Sequence, residues 1–269
     1  MKKVFLIVVL LTSLFAGQLM NAQNSVVITT NPSPATICVG SSINLTAVKS
    51  GGIVQSTGYV WNTGQTGSVI TVSPLSTIDY TVTVTFITGT PTTATATVTV
   101  TVNAIPTPIV TVDDASICEG DDATLTSNIS GQWYQNGTLI SATNSTNYLT
   151  DEAGSYVVSV TVGGCTGESA GTIITVNPLP DASFTPNTLL DECSDGVTPF
   201  VANITDPNYT YQWYRSVNPI NGSNQGTPIV PPIGTSASYT PALQNLLTEE
   251  TYYYSLTIKN TITGCSSSW

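Results

Sequence analysis

The sequence predicts an all-β protein of three tandem β-sandwiches, and three observations support this fold class. Thr, Val, Ser and Ile dominate the 269 residues and only 8% are charged, a composition that favours pleated, half-buried surfaces over helices. No window keeps an apolar period of 3.6 residues. A cysteine, a middle-strand Trp and a late-strand Tyr also recur three times in the same order. The repeat indicates three domains.

The second copy shows the repeated pattern most clearly. It begins ASICEGDDATLTS, reaches a Trp in GQWYQNG and closes as GSYVVSVTVGGC. The first copy reads ATICVGSSINLTA, YVWNTG and DYTVTVTF, and the third reads DECSDG, YQWYRS and TYYYSLTI. A buried Trp in a middle strand, a Tyr opening a late strand and flanking cysteines are ingredients of an immunoglobulin-like sandwich. The expected core aromatics are Trp61, Tyr80, Trp133, Tyr156 and Trp213.

The predicted domain boundaries follow from composition. In residues 1–22, Lys2 and Lys3 precede the apolar run VFLIVVLLTSLFAG, and Ala22 offers a small residue for cleavage, so we expect a cleaved signal peptide rather than a membrane anchor. Ig-like domains are expected at 24–103, 104–178 and 179–269, the last also PKD-like. The short Pro-containing joints AIPTP and NPLP connect them. Because few residues follow the last cysteine, we expect the third closing strand to be missing and the chain to be a fragment.

The charge and the missing residue types argue against several functions. Without residues 1–22 the chain has 3 basic and 16 acidic residues and no His, so its net charge is −13. Such a surface is a poor partner for nucleic acid or anionic membrane. No His is available for a catalytic triad, and neither GxSxG nor HExxH occurs. Neighbouring carboxylates on a strand point to opposite faces and cannot flank one substrate bond. We expect no enzymatic activity in this segment.

Five cysteines in an exported chain imply disulfide bonds. Pairing within each repeat would join Cys118 to Cys165 and Cys193 to Cys265. Cys38 would then be an unpaired thiol, with an intermolecular bridge as the alternative, because Gly89 stands where its partner would fall. The expected bridge lies near one pole of the sandwich.

Away from that pole, the core Trp of the second repeat is expected to contact aliphatic side chains. Leu125 and Val158 are the predicted neighbours of Trp133, in place of the disulfide that lies under the Trp in antibody domains.

Two groups of residues are candidates for ligand binding. A cluster of carboxylates at one end of the second repeat could bind Ca²⁺, which takes six to eight oxygen ligands. Its spacing differs from the D-x-[DN]-x-[DN]-G loop, and the alternative is a set of solvated turns. No other cofactor is expected. The tyrosines that follow two core Trp residues should point outward, toward a glycan or protein partner, although single exposed aromatics need no such role. The candidates are Asp113, Asp114, Glu119, Asp121 and Asp122 for the metal, and Tyr134 and Tyr214 for the partner.

The segment ATICVGSSINLTA, YVWNTG and ITVSPLSTIDYTVTVT, with its second copy, resembles the Ig-like and PKD-like repeats of very large bacterial cell-surface proteins. Such proteins occur in gliding bacteria and are often cargo of type IX secretion. The resemblance implies a secreted or cell-surface location, further Ig-like repeats in the same chain, and a structural or adhesive role as stalk or adhesin module. The alternative is an accessory glycan- or protein-binding region of an exported enzyme whose catalytic domain lies beyond residue 269.

Overall fold

The computed structural model describes residues 23–87, 90–140, 144–187, 198–230, 233–241 and 251–268. By internal contacts the chain forms two bodies. One comprises the chain up to Ile105 with the turn Val162–Cys165, and the other comprises Pro106–Thr161 with Thr166–Trp269. The described residues form three separate hydrophobic cores, each drawn from one sequence repeat. Apart from short 3-10 turns at Ser56–Gly58 and Ile233–Thr235, the regular elements of the described residues are β-strands.

The first repeat is a sandwich of two sheets. One sheet has the order β1-β3-β5 and the other β2-β7-β6-β4. Its pairs are antiparallel except for β2 and β7, which run parallel. The strands are β1 (Ser25–Asn31), β2 (Thr36–Cys38), β3 (Ile43–Ser50), β4 (Tyr59–Trp61), β5 (Val69–Val72), β6 (Ile78–Phe86) and β7 (Thr92–Asn103).

Strict alternation along β6 builds the first core. Val82, Val84 and Phe86 are fully buried, while the intervening threonines face outward. Trp61 is also buried, and its indole Nε1 donates a hydrogen bond to the carbonyl of Gly67 at 2.9 Å. The predicted two-residue period of this strand is therefore confirmed.

The second repeat uses one long strand in both of its sheets. The first half of β10 pairs with β8 and β12, and its second half pairs with β11 and β13. Strand β13 also pairs with β14 and with β15, and β9 runs parallel to β15. The strands are β8 (Val110–Val112), β9 (Ser116–Cys118), β10 (Ala123–Gln135), β11 (Thr138–Leu139), β12 (Ser145–Thr150), β13 (Gly154–Val162), β14 (Cys165–Glu168) and β15 (Thr172–Asn177).

Strand β10 changes sheets at a glycine. The register of its pairing with β12 shifts between Thr126 and Gly131. A Cβ atom at Gly131 would lie 2.5 Å from the carbonyl oxygen of Ser159. Only glycine therefore allows the two backbones to approach this closely.

The second core follows the predicted plan. Trp133 is fully buried beside Val158, its cross-strand partner, and shares its core with Leu125. Tyr156 is also buried, and its hydroxyl donates to the carbonyl of Glu152 at 2.8 Å, which is the tyrosine corner of immunoglobulin-like domains. Trp133 thus shares its core with the two predicted aliphatic side chains, and its ring also stacks on that of Tyr148, with 5.9 Å between the ring centroids.

The third repeat again has two sheets, with strand orders β16-β17-β20 and β19-β18-β21-β22. Trp213 is fully buried between Phe184, Phe200 and Tyr239. Residues after the last cysteine pair with β21 as a short strand, in the place that β14 takes after Cys165 in the second repeat. The strands are β16 (Phe184–Thr185), β17 (Phe200–Ala202), β18 (Tyr209–Ser216), β19 (Thr227–Pro228), β20 (Ser238–Tyr239), β21 (Tyr253–Asn260) and β22 (Ser266–Ser268). All five predicted core aromatics are buried.

Candidate functional site: the bridges between repeats

The disulfide bonds connect successive repeats. Cys38 pairs with Cys165, and Cys118 pairs with Cys265, at Cα–Cα distances of 5.6 and 5.5 Å. The predicted pairing within repeats is therefore wrong, and so is the prediction that Cys38 is an unpaired thiol. Cys193, the fifth cysteine, lies outside the described residues, as does Gly89.

The strand order of the first repeat explains why its cysteine finds no partner in its own sandwich. Cys38 is in register with Asn103, the last residue of β7. The hairpin in which the second repeat carries Cys165 corresponds, in the first repeat, to the chain just before Thr92, where β7 begins. Twelve residues of strand span about 40 Å. A disulfide needs Cα atoms about 6 Å apart, so cysteines at the two ends of this strand cannot pair.

The first joint, defined as Cys38, Asn103 and Gly163–Cys165, is closed by hydrogen bonds as well as by the bridge. The carbonyl of Asn103 accepts the amide of Val39 at 2.9 Å. The side-chain Nδ2 of Asn103 donates to the carbonyl of Gly163 at 2.8 Å. Cys165 is almost fully buried. One asparagine thus binds its own sandwich through its backbone and the hairpin of the next repeat through its side chain.

The hairpin at this joint requires glycine at its first turn position. Gly163 and Gly164 both have positive φ angles, of 58° and 82°. A Cβ atom on Gly163 would lie 2.6 Å from Nδ2 of Asn103, whereas one on Gly164 would meet nothing within 4 Å. The close approach of Asn103 to the hairpin therefore depends on Gly163.

The second joint, defined as Cys118, Asn177, Gly264 and Cys265, repeats the backbone plan. Cys118 is in register with Asn177, whose carbonyl accepts the amide of Glu119 at 2.8 Å. Gly264 has a φ of 80° and precedes a buried Cys265. The side chain of Asn177 differs from its counterpart, because it donates to Ser116 Oγ at 3.0 Å and to the carbonyl of Ile117 at 3.1 Å, both in its own sandwich.

An open pocket of about 320 Å³ lies beside the second bridge. It is lined by residues of both repeats, including the acidic residues Glu119 and Asp121 with Leu179 and Ser266. Nearby, the hydroxyl of Ser267 donates to the carbonyl of Pro180. The chain that follows the cysteine is therefore more acidic at the second joint, with Glu119 and Asp121, than at the first, with Val39 and Ser41.

Two of the five clustered carboxylates, Asp113 and Asp114, accept backbone amides of nearby residues, and two others, Glu119 and Asp121, line the pocket beside the second bridge. Asp113 Oδ1 accepts the backbone amides of Thr124 and Asp114, each at 2.8 Å, and these bonds, led by that of Thr124, lower the pKa of Asp113. Asp114 Oδ1 accepts the amide of Ser116 at 2.9 Å. Among the described residues, no three acidic, His or Cys side chains are placed to hold a metal ion. Calcium binding stays a prediction. It would be contradicted if millimolar Ca²⁺ left the melting temperature of the second repeat unchanged.

The two tyrosines proposed to contact a partner lie on equivalent strands. Tyr134 on β10 and Tyr214 on β18 each follow a buried Trp, and both are half-buried. Tyr134 is paired with Leu139 and Val157, and Tyr214 with Pro228 and Ser255. Their role in binding stays a prediction. In the described part of the chain, no helix is long and apolar enough to cross a membrane.

No protein-family profile and no curated protein matches this sequence. Solved structures similar to it include three N-terminal domains of the bacteriophage RB49 outer capsid protein Hoc, with 14% identity, 91% of this chain and 97% of that chain covered, and a TM-score of 0.38. A structure from a 1.5-MDa bacterial ice-binding adhesin has 12% identity, 92% of this chain and 95% of that chain covered, and a TM-score of 0.35. For murine CEACAM1b the sequence identity is 15%, 58% of this chain and 100% of that chain are covered, and the TM-score is 0.33. At such TM-scores these similarities carry no argument about function, and the immunoglobulin-like fold rests on the strand order and core described above.

A signal for the bridges between repeats is present in the sequence. The first repeat keeps ICVG, the counterpart of ICEG in the second, although it has no second cysteine of its own. If the first cysteine of each repeat pairs with the last cysteine of the following repeat, both observed bridges result and Cys38 has a partner. The joints also share the pattern V-N-x-x-P at Val102–Pro106 and Val176–Pro180.

Proposed function

We propose that this chain is a non-catalytic structural and adhesive region of a large exported bacterial surface protein, acting as a stalk or adhesin module. The observation that carries the proposal is the pair of disulfides that join the first repeat to the second and the second to the third. A sandwich needs no covalent bond to its neighbour in order to fold. The backbone already connects the repeats, and the added bonds limit how far they can be pulled apart.

The chemistry of the bridges supports export. Disulfides form and persist outside the cytosol, and the basic and apolar start of the chain is typical of a signal peptide. The resemblance to repeats of type IX cargo supports that secretion route. The strongly acidic surface of the mature chain suits solubility outside the cell.

The adhesive part of the proposal requires a protein or glycan ligand. Retention of the purified protein on immobilised glycans or matrix proteins would support it. Tyr134→Ala and Tyr214→Ala would weaken that retention if these half-buried rings touch the ligand. Leu149→Ala, which changes an exposed side chain on a different strand, is the matched control.

The decisive test is an immunoblot of cells and medium of the producing bacterium, with antibody to the second repeat and protease treatment of intact cells. A protease-sensitive, cell-attached band far above 28.1 kDa is expected. A soluble band near the calculated mass would contradict the proposal and favour a small secreted binding protein.

A further inference from the structure

The two bridges overlap along the chain, and this arrangement determines which residues bear tension. In sequence order the bonded cysteines are Cys38, Cys118, Cys165 and Cys265, with the first joined to the third and the second to the fourth. A covalent path can therefore run from Cys38 across its bridge to Cys165, back along the chain to Cys118, and across the other bridge to Cys265. Within the second repeat the path runs from Cys165 to Cys118, which is opposite to the direction of the chain.

That path is much shorter than the chain itself. Only 47 residues (165 minus 118) separate its two bridges, whereas 227 residues (265 minus 38) separate its ends along the backbone. At about 3.4 Å for each extended residue, the short path allows roughly 160 Å between its ends and the backbone alone roughly 770 Å.

We propose that the overlapping bridges give this chain a load-bearing function as a tether with a built-in extension limit. When the chain is pulled from points outside Cys38 and Cys265, the segment from Cys118 to Cys165 carries the tension at full extension. The intervals from Cys38 to Cys118 and from Cys165 to Cys265 contain 80 and 100 residues. Both intervals are longer than the short path that runs beside them, so neither becomes taut. Most of the first and third repeats is thereby shielded from the load.

The inference deepens the proposed stalk function and rests on it only for the source of the tension. The extension limit itself follows from which cysteines are bonded, and it holds whether the sandwiches are folded or unfolded. Its failure is therefore distinguishable from failure of the stalk proposal, because a purified protein can be stretched without any knowledge of its place on the cell.

The test is single-molecule force spectroscopy on the full chain after removal of the leader, with non-cysteine attachment tags at both ends. In the oxidised protein, the stretch between Cys38 and Cys265 should stop at about 160 Å. A thiol reductant should raise the limit to about 770 Å. Pairing within repeats would instead give 108 residues and about 370 Å in the oxidised protein, and either that value or the full chain length would overturn the proposal.

Three variants make the test specific. Cys193→Ser removes the fifth cysteine and should leave the limit at about 160 Å, whereas pairing within repeats predicts a change. In that background, Cys118→Ser with Cys265→Ser should give a limit of 100 residues, or about 340 Å. Cys38→Ser with Cys165→Ser should give 80 residues, or about 270 Å. Because contour length does not depend on folding, a destabilised variant still reports its bridges. Equal limits for the two double variants and the parent would contradict the overlapping path.

Discussion

The first and second joints share a backbone plan and differ in their side chains. In both, a parallel strand pair places a half-buried cysteine beside an asparagine, and the partner cysteine is buried behind a left-handed glycine. At the first joint the side chain of Asn103 reaches the next repeat, at Gly163. At the second, Asn177 turns back to its own sandwich.

The difference shows what each part of a joint contributes. The covalent bridge is common to both and fixes which repeats are joined. The Asn103 hydrogen bond and the close approach at Gly163 belong to the first joint alone, so this joint should resist local opening more strongly.

The largest effect should come from reducing the bridges, and it should fall on the second sandwich. Both of its cysteines are tied to other repeats, whereas the described residues of the first and third supply one bonded cysteine each. The two bridges close loops of 127 and 147 residues. Each loop restricts the unfolded chain and adds roughly 5 kcal/mol at most. Reduction should therefore lower the melting temperature of the second sandwich more than that of the first.

Fluorotryptophan labelling and fluorine NMR allow this comparison, because Trp61 and Trp133 each report one core. Cys193→Ser in the oxidised state is the control and should leave both transitions in place. If reduction lowered the melting temperatures reported by Trp61 and Trp133 by the same amount, the bridges would not restrain the second sandwich from both sides.

Alanine substitution of the hairpin glycines should separate the two joints. Gly163→Ala and Gly264→Ala both place a Cβ in a left-handed conformation, at a cost of about 1–2 kcal/mol each. Only Gly163→Ala also displaces Asn103, since its Cβ would lie 2.6 Å from Nδ2, while nothing lies within 4 Å of a Cβ at Gly264. We expect Gly163→Ala to lower the free energy of unfolding, measured by urea denaturation, by about 1 kcal/mol more than Gly264→Ala does. Gly164→Ala is the matched control in the same turn, and a loss as large as that of Gly163→Ala would contradict the role of the close approach.

A smaller effect should follow from removing the asparagine side chains. Asn103→Ala deletes the hydrogen bond to the hairpin that contains buried Cys165, so the hairpin should open more often. A loss of about 1 kcal/mol corresponds to roughly five-fold faster reduction of this bridge by a thiol. Timed reduction, alkylation and mass spectrometry measure that rate.

Asn177→Ala provides the comparison at the second joint. Its hydrogen bonds lie within one sandwich, so reduction of the bridge between Cys118 and Cys265 should keep its rate. Equal acceleration by the two variants would show that the asparagines act alike, despite their different partners.

The sequence was sufficient to predict the fold, but it did not decide between pairing within repeats and pairing shifted by one repeat, for a physical reason. Alternation in β6 and the recurring Trp are local signals, and each determines the side of a strand that faces the core. Pairing of Cys38 depends instead on the register of β2 with β7, which places it at the far end of that strand from the hairpin. The register between two strands that are distant along the chain produces no periodic pattern in the sequence. The Asn103 contact was missed similarly, because V-N-x-x-P has no chemistry of its own until its partner is known.

The smallest effect concerns charge, which further distinguishes the second repeat from the nearly neutral first. Hydrogen bonds from the backbone amides of Thr124 and Asp114 lower the pKa of Asp113 below its ordinary value of 3.8. A lowered pKa in the folded state contributes stability above the ordinary value, and this stability is lost as the pH falls through the lowered one. The melting temperature reported by Trp133 should therefore fall less steeply below pH 3.8 in Asp113→Asn, whose amide oxygen can still accept both bonds. The transition reported by Trp61 is the internal control and should be the same in both proteins. Superimposable Trp133 curves for the variant and the parent would show that Asp113 does not link acidity to the stability of the second sandwich.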